Sequence, residues 1–160
     1  MSDKTSIDIS GLENFSQDVA QQVEDVVCRV IDSAFLPDVL ISIAFIHDDE
    51  MQKLNKQYRG KNKPTDVLSF SAQEGEMLEG MEHILGDIII SIDTAQAQAQ
   101  ELEHTLLEEI AVLLAHGIMH LLGLDHERSE EEAMKQAEGE MAVLDHAGFS
   151  PRLALASRFM

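Results

Sequence analysis

The segment from His116 to His126 constrains the fold more than any other part of the chain. It reads HGIMHLLGLDH, which places histidines at i, i+4 and i+10. His116 and His120 share one face of a helix, because residues four apart are neighbours there. His126 cannot join them on the same straight helix, since ten residues span roughly 15 Å along its axis. Gly123 readily takes the left-handed conformation that ends a helix, so the sequence predicts a turn there and a loop that returns His126.

Three imidazoles in this layout predict a metal site. An all-nitrogen set without cysteine suits zinc, which needs its nitrogens at about 2.0 to 2.1 Å, although imidazole also accepts copper, nickel or iron. Three protein ligands leave a fourth position open, as in catalytic rather than structural zinc sites. We therefore expect one catalytic zinc per chain, with His116, His120 and His126 as ligands.

The composition indicates one globular domain. A chain of 160 residues that is 44% hydrophobic is large enough to bury a core. No stretch approaches the ~20 consecutive apolar residues of a membrane helix, and the start lacks the basic and apolar regions of a signal peptide. We expect a cytoplasmic protein. Its single cysteine, Cys28, permits no internal disulfide and is interpreted as a packed residue rather than a nucleophile.

The hydrophobic pattern predicts an α+β domain. Apolar residues at helical spacing predict a long helix over residues 13–35, a metal helix that begins at a Thr105–Glu108 capping box, and a last helix after Ser129. Alternating or β-branched runs predict a small mixed sheet of about four strands. We expect the domain to span residues 1–150, with a C-terminal tail at 151–160. Three residues of the last helix are expected to point inward: Met134, Met141 and Leu144.

The charge is distributed unevenly. The net charge is −19, yet five of the 11 basic residues fall within residues 53–63, which contain no acid. A local basic patch on an acidic body can still bind a polyanion, although the overall charge weakens nonspecific binding. These five residues are Lys53, Lys56, Arg59, Lys61 and Lys63.

The residue after the first histidine decides which chemistry the site favours. Zinc peptidases carry His-Glu-x-x-His, with the glutamate as general base, whereas this chain has Gly117 at that position. A metalloprotease remains an alternative only if Glu127 or Asp87 replaces the base. Phosphoryl transfer depends more on positioning and charge stabilisation, so the site favours a phosphodiester substrate.

Three blocks of sequence resemble one known family. They are YRGKNKPTDVLSF at 58–70, LGDI at 85–88 and HGIMHLLGLDH at 116–126. Their order and spacing, from about Val39 to Phe149, are similar to those of the bacterial YbeY endoribonucleases. We expect the metal helix of this chain to be zincin-like. The resemblance implies a metal-dependent, single-strand-specific endoribonuclease. It also implies a role in ribosomal RNA maturation, at the 3′ end of small-subunit RNA, and in ribosome quality control.

The resemblance also implies roles for individual residues. The three histidines would bind the metal and Arg59 would be needed for activity; its guanidinium offers a bidentate charged fork for phosphate. Lys61 and Lys63 are predicted to contact RNA phosphates. Asp125 is a candidate for orienting a histidine ligand. Asp87 and Asp66 are each a candidate for either a base or a turn cap.

Two questions stay open on the sequence. A non-catalytic ribosome-assembly factor with a structural zinc is an alternative to an enzyme, and ribosomal or small-subunit proteins are expected partners in either case. The nucleophile is either the RNA 2′-hydroxyl or a metal-bound water.

Overall fold

The structure is a computed structural model that describes residues 5–36, 38–72, 83–124 and 128–156. Helices and strands alternate only in part along the chain. The strands are β1 (Ser6–Ser10), β2 (Leu40–Ile46), β3 (Val67–Ser71) and β4 (Ile84–Ser91). The α-helices are α1 (Gln17–Asp32), α2 (Asp48–Arg59), α3 (Ile92–Glu101), α4 (Leu106–Leu121), α5 (Glu130–His146) and α6 (Leu153–Ala156), and a 3-10 turn spans Leu12–Asn14. The predicted acidic loop at residues 73–82 lies outside the described residues, as does Pro37.

The four strands form one mixed sheet in the order β1-β2-β4-β3. β1 pairs with β2, and β2 with β4, in parallel, whereas β3 pairs antiparallel with β4 at the edge. The predicted α+β class with about four strands is confirmed.

The two faces of the sheet carry different helices. Ile43 of β2 and Ile88 of β4 are register partners, are fully buried or nearly so, and belong to the main core that α1, α4 and α5 complete. Side chains alternate along a strand, so Phe70 and its partner Asp87 project from the opposite face. There the Phe70 ring meets Tyr58 of α2, with centroids 5.1 Å apart. α2 therefore covers part of the face that α4 does not.

α4 is the central helix of the fold. It contacts β3, β4, α1, α3, α5 and α6. Apolar residues surround most of its circumference, as expected for a helix buried on nearly all sides. The predicted capping box is present: the Thr105 side chain accepts from the Glu108 backbone, and the Glu108 carboxylate accepts from the Thr105 backbone.

Two details of the predicted helices were wrong. The first helix does not span residues 13–35, because Ser16 caps α1 by accepting a hydrogen bond from the Val19 backbone, and Phe35 has a left-handed φ of 51°. Met134 of α5 points outward and is 64% exposed, while Gln136 and Glu140 take buried positions on that helix. Ala154 of α6, within the predicted tail, is buried.

Candidate metal centre and basic surface

The C-terminal half of α4 carries two of the predicted metal ligands. His116 and His120 are one turn apart, and both are half-buried on a helix whose other faces pack into the core. The helix holds their backbone rigidly, because the sheet and α5 pack against it. The first step of the predicted geometry is therefore met: two imidazoles project from one rigid helix face.

α5 supplies polar partners to the first histidine. The Nδ1 atom of His116 lies 3.1 Å from Oε2 of Glu140 and 2.9 Å from Nε2 of Gln136. The Glu140 side chain is only 3% exposed, so its carboxylate needs a donor, and a charge-assisted bond from Nδ1–H is the stronger of the two contacts. With the proton on Nδ1, Nε2 is the ring nitrogen that carries the lone pair a metal ligand needs. A carboxylate behind a histidine in this way is the usual support of a metal-ligating imidazole.

Sequence reasoning missed this support. Gln136 and Glu140 are four residues apart, so they face the same side of α5, and both are buried. Their i, i+4 spacing predicts only that they share one side of α5, and it does not show which helix that side meets. Of the three residues predicted to point inward, Leu144 is buried and Met141 packs partly against the core, whereas Met134 is exposed.

The end of α4 confirms the predicted turn. Gly123 has a φ of +96°, and its backbone N–H donates to the His120 carbonyl while that of Leu124 donates to the Met119 carbonyl. These two bonds form a Schellman motif, which stops the helix and reverses the chain. Arg128 donates to the Gly123 carbonyl and pairs with Glu132 at 3.2 Å. Leu124 and Arg128, which flank residues 125–127, are thus both tied to the C-terminal end of α4.

The third predicted ligand, His126, and the candidate Asp125 lie outside the described residues. Within the part of the chain that the structure describes, no group of three potential ligands forms a metal site. His116 and His120 nonetheless fit zinc, because they are nitrogen donors on one rigid helix and a buried carboxylate orients the first of them.

Gly117 occupies the position where a zinc peptidase carries its base, and it faces the sheet. A Cβ atom built there would lie 2.9 Å from Cδ1 of Ile88 and 3.1 Å from two further carbons of the same side chain. α4 therefore packs closely on β4 because this residue is glycine. A glutamate at position 117 would enter the apolar core instead of a hydrolytic site, which disfavours peptidase chemistry.

The basic residues form an exposed surface around the end of α2. Arg59 is the last residue of α2, and Gly60, with a φ of 71°, ends the helix and begins the loop with Lys61 and Lys63. None of these three cations forms an ion pair with any residue in the described ranges. Their charge is therefore available to a ligand.

α2 and α4 both end at the same end of the sheet, on opposite faces. α2 starts beside the C-terminal end of β4, where Asp48 accepts hydrogen bonds of 2.6 Å from the hydroxyls of Ser91 and Thr94. It finishes with Tyr58 against Phe70, the cross-strand partner of Asp87 near the start of β4. The next pair in that ladder is Ser71 with Gly86.

Gly86 connects this end of the sheet to α4. A Cβ atom on Gly86 would lie 2.3 Å from the Phe70 carbonyl oxygen and 2.8 Å from Cδ2 of Leu121, which directly follows His120. Arg59 and the histidine pair thus lie at one end of the sheet, on either side of the edge formed by β3.

The other candidate acids are placed elsewhere. Asp87 is exposed on the α2 side of the sheet, and its side chain forms no hydrogen bond with another described residue. Asp66 caps the start of β3, where its Oδ1 accepts from the Val67 backbone at 2.7 Å, so it has the structural role of a turn cap. Cys28 is half-buried, and burial together with Glu24, Asp32 and Asp25 raises the pKa of its thiol, which makes it a poor nucleophile.

A second buried polar pair lies at the other end of α4. Nε2 of His104 is 2.6 Å from Oε1 of Glu109, and both side chains are almost fully buried. Burial raises the pKa of Glu109, against the opposing effect of the nearby His104. Glu109 lies about two helical turns from His116, so this pair belongs to the N-terminal support of α4 and not to the candidate metal centre.

The fold and the site define a class: a small α+β protein with a carboxylate-supported histidine pair on its central helix, as in metal-dependent hydrolases. Residues 6–147 match the family model described as Endoribonuclease YbeY. The chain belongs to the endoribonuclease YbeY family. By family it is therefore a hydrolase whose substrate is RNA.

Individual relatives agree with this assignment. The chain is 52% identical over 109 residues to Endoribonuclease YbeY of Aquifex aeolicus, which covers 68% of this chain and 71% of that protein. It is 41% identical over 138 residues to Endoribonuclease YbeY of Desulforamulus reducens, covering 84% and 90%. The solution structure of TM1509 from Thermotoga maritima is similar, with a TM-score of 0.54 and 26% identity over 87% of this chain and 89% of that one. Among the described helices, none has the length and apolar character needed to span a membrane.

Proposed function

We propose that this endoribonuclease is zinc-dependent and cuts single-stranded RNA at a site formed by the end of α4 and the end of α2. His116, His120 and His126 would hold one zinc ion per chain, and Arg59 would bind the scissile phosphate. The observation that carries the proposal is the contact of His116 Nδ1 with the buried Glu140, the usual support of a metal-ligating imidazole.

Each residue of the candidate site has a separate role in this proposal. Glu140 holds the proton of His116 on Nδ1 and fixes the ring plane, and Asp125 is the candidate for the same role toward another ligand. Arg59 approaches the phosphate as a permanently charged fork that can donate two parallel hydrogen bonds. When bound, the zinc ion supplies charge stabilisation at the phosphate oxygens.

The basic loop would guide the strand toward this site. Lys61 and Lys63 are exposed and carry unpaired charge among the described residues, so they can contact neighbouring phosphates of the RNA. Asp87 lies on the same side of the sheet as α2 and stays a candidate for a contact near Arg59. The substitution Asp87→Asn tests this contact.

The biological substrate that the family resemblance supports is ribosomal RNA. We propose that the protein acts in maturation of the 3′ end of small-subunit RNA and in ribosome quality control, with the ribosome or small-subunit proteins as partners. A ribosomal substrate would place the protein in the cytoplasm. The strongly acidic remainder of the chain favours a local contact at the basic surface over nonspecific coating of RNA.

The experiment compares identically purified wild type, Arg59→Ala and His116→Ala on labelled single-stranded RNA and on the same strand in a duplex. Two exposed residues outside the site, Arg152 and His146, provide matched controls as Arg152→Ala and His146→Ala. We expect cleavage of the single strand by wild type and both controls, and loss of cleavage in the two site variants. Equal cleavage by Arg59→Ala, His116→Ala and wild type would overturn the assignment.

Metal content and product ends complete the test. Elemental analysis should give about one zinc per chain in wild type and much less in His120→Ala, with circular dichroism showing that the fold is retained. An active wild-type preparation without metal would contradict the site. A cyclic phosphate at the product ends would identify the RNA 2′-hydroxyl as nucleophile, and a linear phosphate would favour water.

A further inference from the structure

The end of α2 presents an aromatic ring to solvent. Tyr58 is 57% exposed even though its ring makes an edge contact with Phe70. Its hydroxyl forms no hydrogen bond with any residue in the described ranges. An exposed ring that is held in place by a second ring offers an ordered flat surface to a ligand.

The surroundings of Tyr58 specify the charge of that ligand. Arg59 follows it directly, and Lys56 lies less than one helical turn before it; both are exposed and free of ion pairs with described residues. All 30 acidic residues of the chain lie outside residues 53–63. An exposed ring at the end of a helix that also carries cations unpaired among the described residues matches a polyanion with flat aromatic groups, which is the chemistry of a nucleic acid.

The position of Tyr58 relative to the histidines favours a single strand. The contact with Phe70 places Tyr58 beside the edge strand β3, at the end of the sheet where Gly86 touches Leu121 of α4. A strand whose phosphate meets Arg59 would therefore have an adjacent base near the Tyr58 ring. A base in a duplex is already stacked on both sides and cannot reach a side chain in this way.

We propose that Tyr58 is a stacking platform for an unpaired base next to the phosphate bound by Arg59, and that this contact contributes to single-strand preference. The inference deepens the proposed function and rests on it for the location of the phosphate. Phe70 fixes the orientation of the Tyr58 ring through their edge contact. The cations of α2 bind the phosphate backbone of the same RNA strand.

The chain offers a direct probe of this contact. Tyr58 is its only tyrosine and it has no tryptophan, so intrinsic fluorescence of the whole protein reports on Tyr58. Wild type is titrated with a short single-stranded RNA and with the same strand in a duplex, and binding is followed independently by anisotropy of labelled RNA. We expect quenching by the single strand that saturates together with anisotropy. Saturated binding with unchanged tyrosine emission would show that Tyr58 faces some other partner and would overturn the proposal.

Variants separate stacking from charge. Tyr58→Phe should bind RNA within about twofold of wild type, whereas Tyr58→Ala should bind about 5- to 150-fold more weakly, the range expected for loss of one base–aromatic stack. Tyr58→Leu still packs on Phe70 but stacks poorly, so it should bind like Tyr58→Ala while unfolding at the wild-type temperature. The neighbouring exposed Gln57 gives the matched control, Gln57→Ala, with wild-type binding.

Salt dependence distinguishes the two kinds of contact. Lys56→Ala should lower the slope of log K against log salt by about one, because it removes a phosphate contact, while Tyr58→Ala should leave the slope unchanged. If RNA quenches Tyr58 but wild type does not cut it, the nuclease proposal fails and the stacking site stands. If wild type cuts RNA and Tyr58→Ala keeps the wild-type KM, the stacking proposal is refuted and the nuclease proposal stands.

Discussion

Replacing Glu140 by glutamine should weaken zinc binding without unfolding the protein. The Glu140 carboxylate is 3% exposed and accepts from Nδ1 of His116 at 3.1 Å, so glutamine fits the same space and still offers an acceptor oxygen. A hydrogen bond to a charged group contributes about 1.5 to 3 kcal/mol, against about 1 kcal/mol for a neutral one. The difference of about 0.5 to 2 kcal/mol corresponds to about 2- to 30-fold weaker binding.

The assay is competition for zinc between the protein and a chromophoric chelator at constant pH. Glu138, which is exposed two residues earlier on the same helix, provides the control Glu138→Gln. Metal-free Glu140→Gln should still unfold cooperatively in urea, because glutamine keeps the side-chain shape and an oxygen that can accept from His116. Zinc affinity of Glu140→Gln equal to that of Glu138→Gln would refute the orienting role of this carboxylate.

Four further outcomes are expected. Gly117→Glu should lower the free energy of unfolding by more than 1 kcal/mol in urea titrations and gain no peptidase activity, because the side chain enters the core. Gly123→Ala should cost about 1 to 2 kcal/mol by the same measurement through its left-handed φ, since no atom of the described residues lies within 4 Å of the added carbon. Cys28 should react with a disulfide reagent more slowly than a free thiol at neutral pH, since its pKa is raised. Asp93→Ala should cost about 1 kcal/mol near neutral pH, because the Asp93 carboxylate accepts from the backbone of α2 and its pKa is lowered. This difference from wild type should vanish as the pH falls through the folded pKa, below the ordinary value of 3.8.

Local sequence rules predicted the metal helix well. Its start follows from the Thr105–Glu108 capping box, and its end from Gly123, since both depend on residues within one helical turn. The alternation in β2 and the short apolar run in β4 likewise predicted strands, because β2 buries every second residue and β4 is a central strand. Helix boundaries were predicted less well where a capping residue such as Ser16 competes with apolar spacing.

The polar support of the site was not predictable in this way. Whether Glu140 is a solvated charge or the partner of His116 depends on the angle at which α5 crosses α4, which no spacing within α5 fixes. The same limit applies to Tyr58, whose exposure depends on where α2 ends relative to the edge strand.

The sequence by itself determined the chemical identity of the site. It supplied two histidines on one helix face, a glycine turn before a third, a basic stretch and a glycine in place of the peptidase base, all of which are local patterns. The tertiary structure decided which groups lie together: it set Gly117 against Ile88, Glu140 against Nδ1 of His116, and the ends of α2 and α4 at one end of the sheet, on opposite faces. Those contacts join residues distant in the chain, so they depend on how helices and sheet pack and not on the spacing within any one segment.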